Sequence, residues 1–139
     1  MYVFPDIEQV PVDRVIKNLE TQANASPTDA AGWRTLARAH ALAFAQKTAT
    51  LPVVRGRENL GPWFGPEPKN VPFQLKAGGD DAARRAANEH LKKAIEHYRR
   101  ALQLDGTHLV TRLGYAWTLE QSGAVTQAIA EYRAIIEEA

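Results

Sequence analysis

Apolar residues recur at helical spacing in five stretches of the chain. Val12, Ile16, Leu19 and Ala23 lie on one face of a first helix, predicted from Pro11 to about Ala23. Pro11 suits the first helical position, where a missing N–H costs nothing. Trp33, Leu36, Ala37, His40 and Phe44 form the stripe of a second helix running to about Lys47. Ser26-Pro27-Thr28-Asp29 predicts its start, with Ser26 as cap, Pro27 first in the helix and Asp29 completing a capping box.

A third helix is predicted from about Asp80 to Leu104, with Asp80 or Asp81 as cap. Ala87, Leu91, Ala94, Tyr98, Ala101 and Leu102 mark its buried side. Asp81, Glu89 and Glu96 each precede two basic residues three and four positions on, a pattern worth about 0.2–0.5 kcal/mol per pair and typical of a solvated face. Two shorter helices follow, about Thr107–Gln121 and Ala124–Glu138, divided at Ser122-Gly123.

Glycine and proline interrupt this pattern unevenly. Ten of the seventeen lie between Pro52 and Gly79, and none between Asp80 and Asp105. Residues 48–79 are therefore expected to be an irregular insertion. A connection of that length inside a small domain is uncommon and usually functional or disordered. Trp63, Phe64 and Phe73 argue for anchoring on the body. Leu51–Val54 and Val71–Leu75 suit short extended pieces, confined to edges by Pro52 and Pro72. Residues 1–10, with Tyr2, Phe4 and Pro5, read as an extended arm. They lack the basic-then-apolar profile of a signal peptide, although Met1 is also compatible with a leader already removed.

An internal period ties the helices together. Ala94–Leu102 reads AIEHYRRAL and Ala128–Ile136 reads AIAEYRAII, 34 residues later. A 34-residue period in paired helices resembles the tetratricopeptide repeat family. Pro27, Trp33, Leu36 and Ala37 fit its turn and first helix. Ala94, Tyr98 and Ala101 fit its second helix, and Gly106 stands where the family has proline. Ala116, Gly123, Ala128 and Tyr132 fit a further unit, from which Arg112 and Ile135 depart. Leu113-Gly114-Tyr115-Ala116-Trp117 offers a rival register two residues away. Leu36 and Ala94 stand 58 residues apart, about 45 more than the repeat's own spacing.

The resemblance implies an all-α, tetratricopeptide-like solenoid of antiparallel helix pairs forming a single domain. Residues 11–25 would be a lone first helix, 26–106 a first unit interrupted by the insertion at 48–79, and 107–139 a second unit. Such pairs bury their apolar faces only by stacking. Val125, Ile129 and Ile136 on the last helix then await a longer chain, a partner or a second copy.

Composition narrows the chemistry. Alanine supplies 23 of 139 residues, which favours helices that approach closely. The net charge is +1, which argues against a nucleic-acid binder despite Arg55, Arg57, Lys69 and Lys76 near the insertion's aromatics. No apolar run is long enough for a membrane span. The absence of cysteine excludes disulfides and thiolate sites and assigns no compartment. His90 and His97 are seven apart, suited to one helix face, but no ligands at three or four residues accompany them, so no metal site is expected. Ser26 and Ser122 both lie at helix boundaries, as caps rather than nucleophiles. No cofactor-binding or catalytic motif is present, and no enzymatic activity is expected.

By the same resemblance, first helices line a concave groove that binds a protein or peptide partner. The groove positions are Ala31, Arg34, Arg38, Ala41 and Leu42, then Val110, Leu113, Trp117, Glu120 and Gln121. Arg34 and Arg38 make a basic wall; Leu113, Trp117 and Gln121 make a mostly apolar one, suited to an acidic peptide with a hydrophobic anchor. Core packing is the equal alternative for Trp117. Trp63 and Phe64 either plug the groove or contact a partner, with packing favoured. Two other roles stay open: a structural subunit or homo-oligomer docked through the last helix, and an accessory domain of an enzyme with the insertion as a lid.

Overall fold

The computed structural model describes residues 6–57, 61–64, 75–76 and 79–138. The element order is β1 (Ile7–Pro11), α1 (Val12–Ala25), α2 (Ala30–Gln46), β2 (Thr50–Val54), α3 (Asp81–Leu104), α4 (Leu109–Gln121) and α5 (Val125–Glu138). The fold is all-α with a minor two-stranded ribbon.

Helix α2 sits at the centre. Every residue from Leu36 to Ala45 is buried, because α1, α3, α4 and β2 all pack against it. Alanines at 37, 39, 41, 43 and 45 let those neighbours approach, and a helix apolar on all sides belongs in a core. Two apolar clusters meet across it. One joins α1, α2 and the ribbon through Val15, Leu19, Leu36 and Leu51. The other joins α2, α3 and α4 through Phe44, Leu91, Tyr98 and Trp117.

The chain passes from α1 to α2 differently from the sequence expectation. Ser26 does not cap α2. Its N–H closes α1 on the Gln22 carbonyl, and its own carbonyl accepts from Asp29 N–H. Asp29 is the cap, its carboxylate accepting from Ala31 N–H at 3.1 Å. Pro27 lies in the turn, where its carbonyl accepts from Trp33 Nε1 at 2.9 Å. Helix α1 likewise starts at Val12, since Pro11 ends a strand. Helix α4 starts at Leu109 rather than Thr107, because the His108 ring accepts from Thr111 N–H and caps it.

The expected arm and the start of the insertion are joined as a ribbon. β1 and β2 pair antiparallel, Ile7 opposite Val54 and Pro11 opposite Thr50. Leu51 and Val53 point inward and are fully buried, the alternation of a one-sided strand. Arg55 donates to the Asp6 carboxylate at 2.9 Å beyond the paired residues. Pro52, which cannot donate to a ladder, instead accepts from Trp63 N–H at 2.8 Å. Residues 48–79 are thus partly regular. Tyr2, Phe4, Phe73, Lys69 and the Val71–Gln74 part of the second extended piece lie outside the described residues.

Helix α3 follows its prediction closely. Asp80 caps it, accepting from Ala83 N–H at 2.8 Å. Arg84 pairs with Asp81 and Lys92 with Glu89 on the exposed side. Glu96 pairs backward with Lys93 rather than forward with Arg99 or Arg100. Helices α4 and α5 run antiparallel: Arg112 at the start of α4 pairs with Glu138 at the end of α5, and Tyr132 reaches Glu120.

Candidate interaction surfaces

Arg34 and Arg38 stand one turn apart on α2, as their spacing requires. Their settings differ. Arg34 is half-buried and makes no ion pair with another described residue. Arg38 is buried, its guanidinium carbon 4.1 Å above the centre of the Phe64 ring. Burial pulls its pKa down, and the positive charge of Arg34 adds to this, against an opposing contribution from Tyr98. Phe64 therefore covers the Arg38 part of this wall. Gly61 brings the insertion close: with φ +88, it lies where a Cβ would come within 2.9 Å of Thr35. Lys76 adds a tether at the end of α2. Its N–H donates to Ala45 O, and its carbonyl accepts from Lys47 Nζ at 2.8 Å.

On α4, Leu113 and Gln121 are half-buried and Trp117 is buried. The Trp117 ring meets Phe44 edge-on at 6.0 Å, which places it in the core where α2 touches α4. Of the five residues expected to form the two walls of the groove, Arg34, Leu113 and Gln121 remain accessible. Arg38 and Trp117 are withdrawn, one by Phe64 and the other by Phe44. Trp63 is half-buried beside β2.

The sharpest contrast lies between α3 and α5. Leu91, Ile95, Tyr98 and Leu102 on α3 recur 34 residues later as Val125, Ile129, Tyr132 and Ile136 on α5. Helix α3 packs against both α2 and α4. Tyr98 is fully buried, and its ring fills the notch left by Gly114, where a Cβ would stand 2.4 Å from the hydroxyl. Helix α5 packs against α4 on one side. Val125, Ile129 and Ile136 are 52%, 45% and 72% exposed. Tyr132 is half-buried and donates to Glu120 Oε1 at 3.1 Å. Partial burial, then that bond and the Glu120 charge, push its pKa up to about 12.

The tetratricopeptide repeat family model matches residues 85–139, from the second turn of α3 through α5. Residues 85–139 belong to the tetratricopeptide repeat family. No curated protein and no solved structure matches the chain. The repeat segment thus includes both faces of the contrast and the Gly114 notch between them. Tetratricopeptide repeats are protein-interaction elements, and none of the described helices is long and apolar enough to cross a membrane.

A third feature lies where the repeat's α3 meets α2. His90 and His97 share one face of α3, as their spacing suggests, and His40 of α2 lies between them. His40 Nδ1 and His90 Nδ1 are 2.9 Å apart, and the rings of His40 and His97 stack at 5.5 Å. Sequence reasoning missed His40 as a member because the contact crosses two helices. Its place on the buried stripe of α2 was the available signal. Among the described residues no group of three or more His, Asp or Glu is arranged to hold a metal ion.

Proposed function

We propose that this protein is a non-catalytic interaction module whose principal docking surface is the bare face of α5. Its occupant is an amphipathic helix of a partner protein, with a glycine or alanine where it crosses Tyr132. The carrying observation is that α3 has the same apolar residues 34 positions earlier, and there Tyr98 lies against Gly114 of α4. The bare face continues that internal interface by one repeat. Three exposed aliphatic side chains in a row on one helix are a surface to be covered. A peptide with the sequence of residues 107–122, the helix that covers α3, is the natural probe. Titrated into the labelled full chain, it should shift the amide signals around Ile129 and Ile136 saturably. The Gly114→Leu version of the peptide should not. Equal shifts from both peptides, or none from either, would remove this reading.

A second reading rests on Arg34, a cation without an ion-pair partner among the described residues. With Leu113 and Gln121 of α4, and with Trp63 and Phe64 on the neighbouring insertion, it suits a short acidic segment carrying one apolar anchor. Arg34→Glu should abolish capture of such a peptide while the helical content stays unchanged. Undiminished capture would discard the groove.

A further inference from the structure

Four rings stand in file between α2 and α3: Trp33, His97, His40 and His90. Successive ring centres are 5.6, 5.5 and 5.1 Å apart, and the first two pairs are stacked. At one end, Trp33 is fixed by its bond to the Pro27 carbonyl, with Arg100 5.9 Å from its ring centre. At the other, His40 and His90 share a hydrogen bond between their Nδ1 atoms. Such a bond requires one ring to donate and the other to accept, so at least one Nδ1 must be unprotonated. Two imidazolium rings would both present N–H there, and the bond would become a repulsion.

We propose that this file is an acid-sensitive latch, in which neutral imidazoles hold α2 against α3 and their protonation separates the two helices. The surroundings support it. His40 is buried and has only positive or protonatable neighbours acting on it: His90, His97 and Lys93 of α3. Burial chiefly, and then these neighbours, push its pKa down to about 3. Burial also lowers His90, against Asp13 of α1. It lowers His97 as well, with Lys93 assisting and with Glu96 of α3 and Glu20 of α1 opposing. The carboxylates thus face the outer rings and leave His40 uncompensated. A cleft of about 260 Å³ lined by Ala43, Lys47, Ala87 and His90 connects the file to solvent, so a proton has a way in.

The direction follows from linkage. All three folded values lie below the ordinary histidine value of 6.5. The closed form therefore refuses protons that the open form accepts. Its stability is complete above pH 6.5 and declines below it, down to about pH 3 for His40. Most exposed carboxylates stay ionised until about pH 4, so the interval from 6.5 to about 4.5 belongs to histidine. His108, the remaining histidine, lies at the start of α4, apart from the file, and His108→Asn preserves a capping side chain.

The test is a pH titration of the full chain carrying His108→Asn, with the ring signals of His40, His90 and His97 followed by NMR from pH 7.5 to 4.5. The expected result is that the His40 and His90 rings keep their neutral shifts for as long as the folded α2 and α3 signals persist. Both sets should then vanish in one step. Between pH 7.5 and 5.5 the unfolding equilibrium constant should rise about tenfold for each ring that stays neutral in the closed form. In a His40→Leu, His90→Leu variant that rise should shrink by about a hundredfold. Titration of His40 or His90 near pH 6.5 with the α2 and α3 signals intact would overturn the latch. So would an unaltered pH dependence in the variant. Should the variant fail to fold, the ring titration of the chain with both histidines decides alone.

Discussion

Tyr98 and Tyr132 occupy matching places in two runs of sequence 34 residues apart, yet one is sealed inside the molecule and the other lies at its margin. The difference comes from their neighbours. Helix α3 has α2 on one side and α4, with its Gly114 notch, on the other. Helix α5 has α4 on one side and a bare row of Val125, Ile129 and Ile136 on the other. A repeated apolar stripe therefore specifies a contact geometry. Whether that contact is filled depends on which helix lies beside it. On the proposed reading the bare one would accept the same: a helix able to come close, with a small residue beneath the tyrosine ring.

This contrast can be broken by substitution, and the largest effect should come from the tyrosines. Tyr98→Ala should cost about 3–5 kcal/mol in denaturant unfolding, as large-to-small changes at buried aromatics do. Tyr132→Ala should cost about 1 kcal/mol. Equal losses would mean that the two helices are energetically alike and the contrast is only one of shape.

Gly114→Ala comes next. The added carbon would meet the Tyr98 ring carbons at 2.5 and 2.8 Å, and overpacking of that kind costs about 1–3 kcal/mol. In a Tyr98→Leu background the penalty should shrink, and a double-mutant cycle measures the coupling directly. Additive effects would separate the glycine from the tyrosine.

Smaller effects sharpen the picture. Asp80→Ala removes the cap that starts α3 and should cost about 1 kcal/mol, read by thermal unfolding. Ile129→Asp on the bare face should change stability by less than about 0.5 kcal/mol while eliminating the shifts caused by the 107–122 peptide. The matching Ile95→Asp, at a half-buried position, should destabilise measurably in the same assay.

The parts of the fold that were legible in the sequence are those governed by local chemistry. Helix α3 could be placed from Asp80, its flanking glycines and its apolar period, and its exposed acids and bases do lie on a solvated face. At the start of α2, Ser26-Pro27 imitates a helix entrance. Both residues instead complete the turn out of α1, and Asp29, also in the sequence signature, is the true cap. The sequence marks strand β1 only as an extended arm. Its five residues carry one buried side chain, Val10, so only pairing with the alternating Leu51 and Val53 makes it a strand.

The candidate surfaces divide along the same line. The bare row on α5 could be anticipated from an apolar stripe that repeats the one on α3. The withdrawal of Arg38 under Phe64 and of Trp117 against Phe44 could not, since each contact joins segments far apart in the chain. The meeting of His40 with His90 and His97 is of the same kind. Periodicity identifies the face on which a residue lies and leaves open what the opposite face belongs to.

The ribbon of β1 and β2 has a consequence for the order of events during folding. It pairs the residues before α1 with those after α2, so closing it requires a long loop to be brought together first, at a cost in chain entropy. Contacts within α3, α4 and α5 are between near neighbours in sequence and form fast. Refolding should therefore begin in the carboxy-terminal half, and the ribbon from Ile7 to Val54 should close later, together with the docking of α2 on α3, where His40 meets His90 across 50 residues of chain.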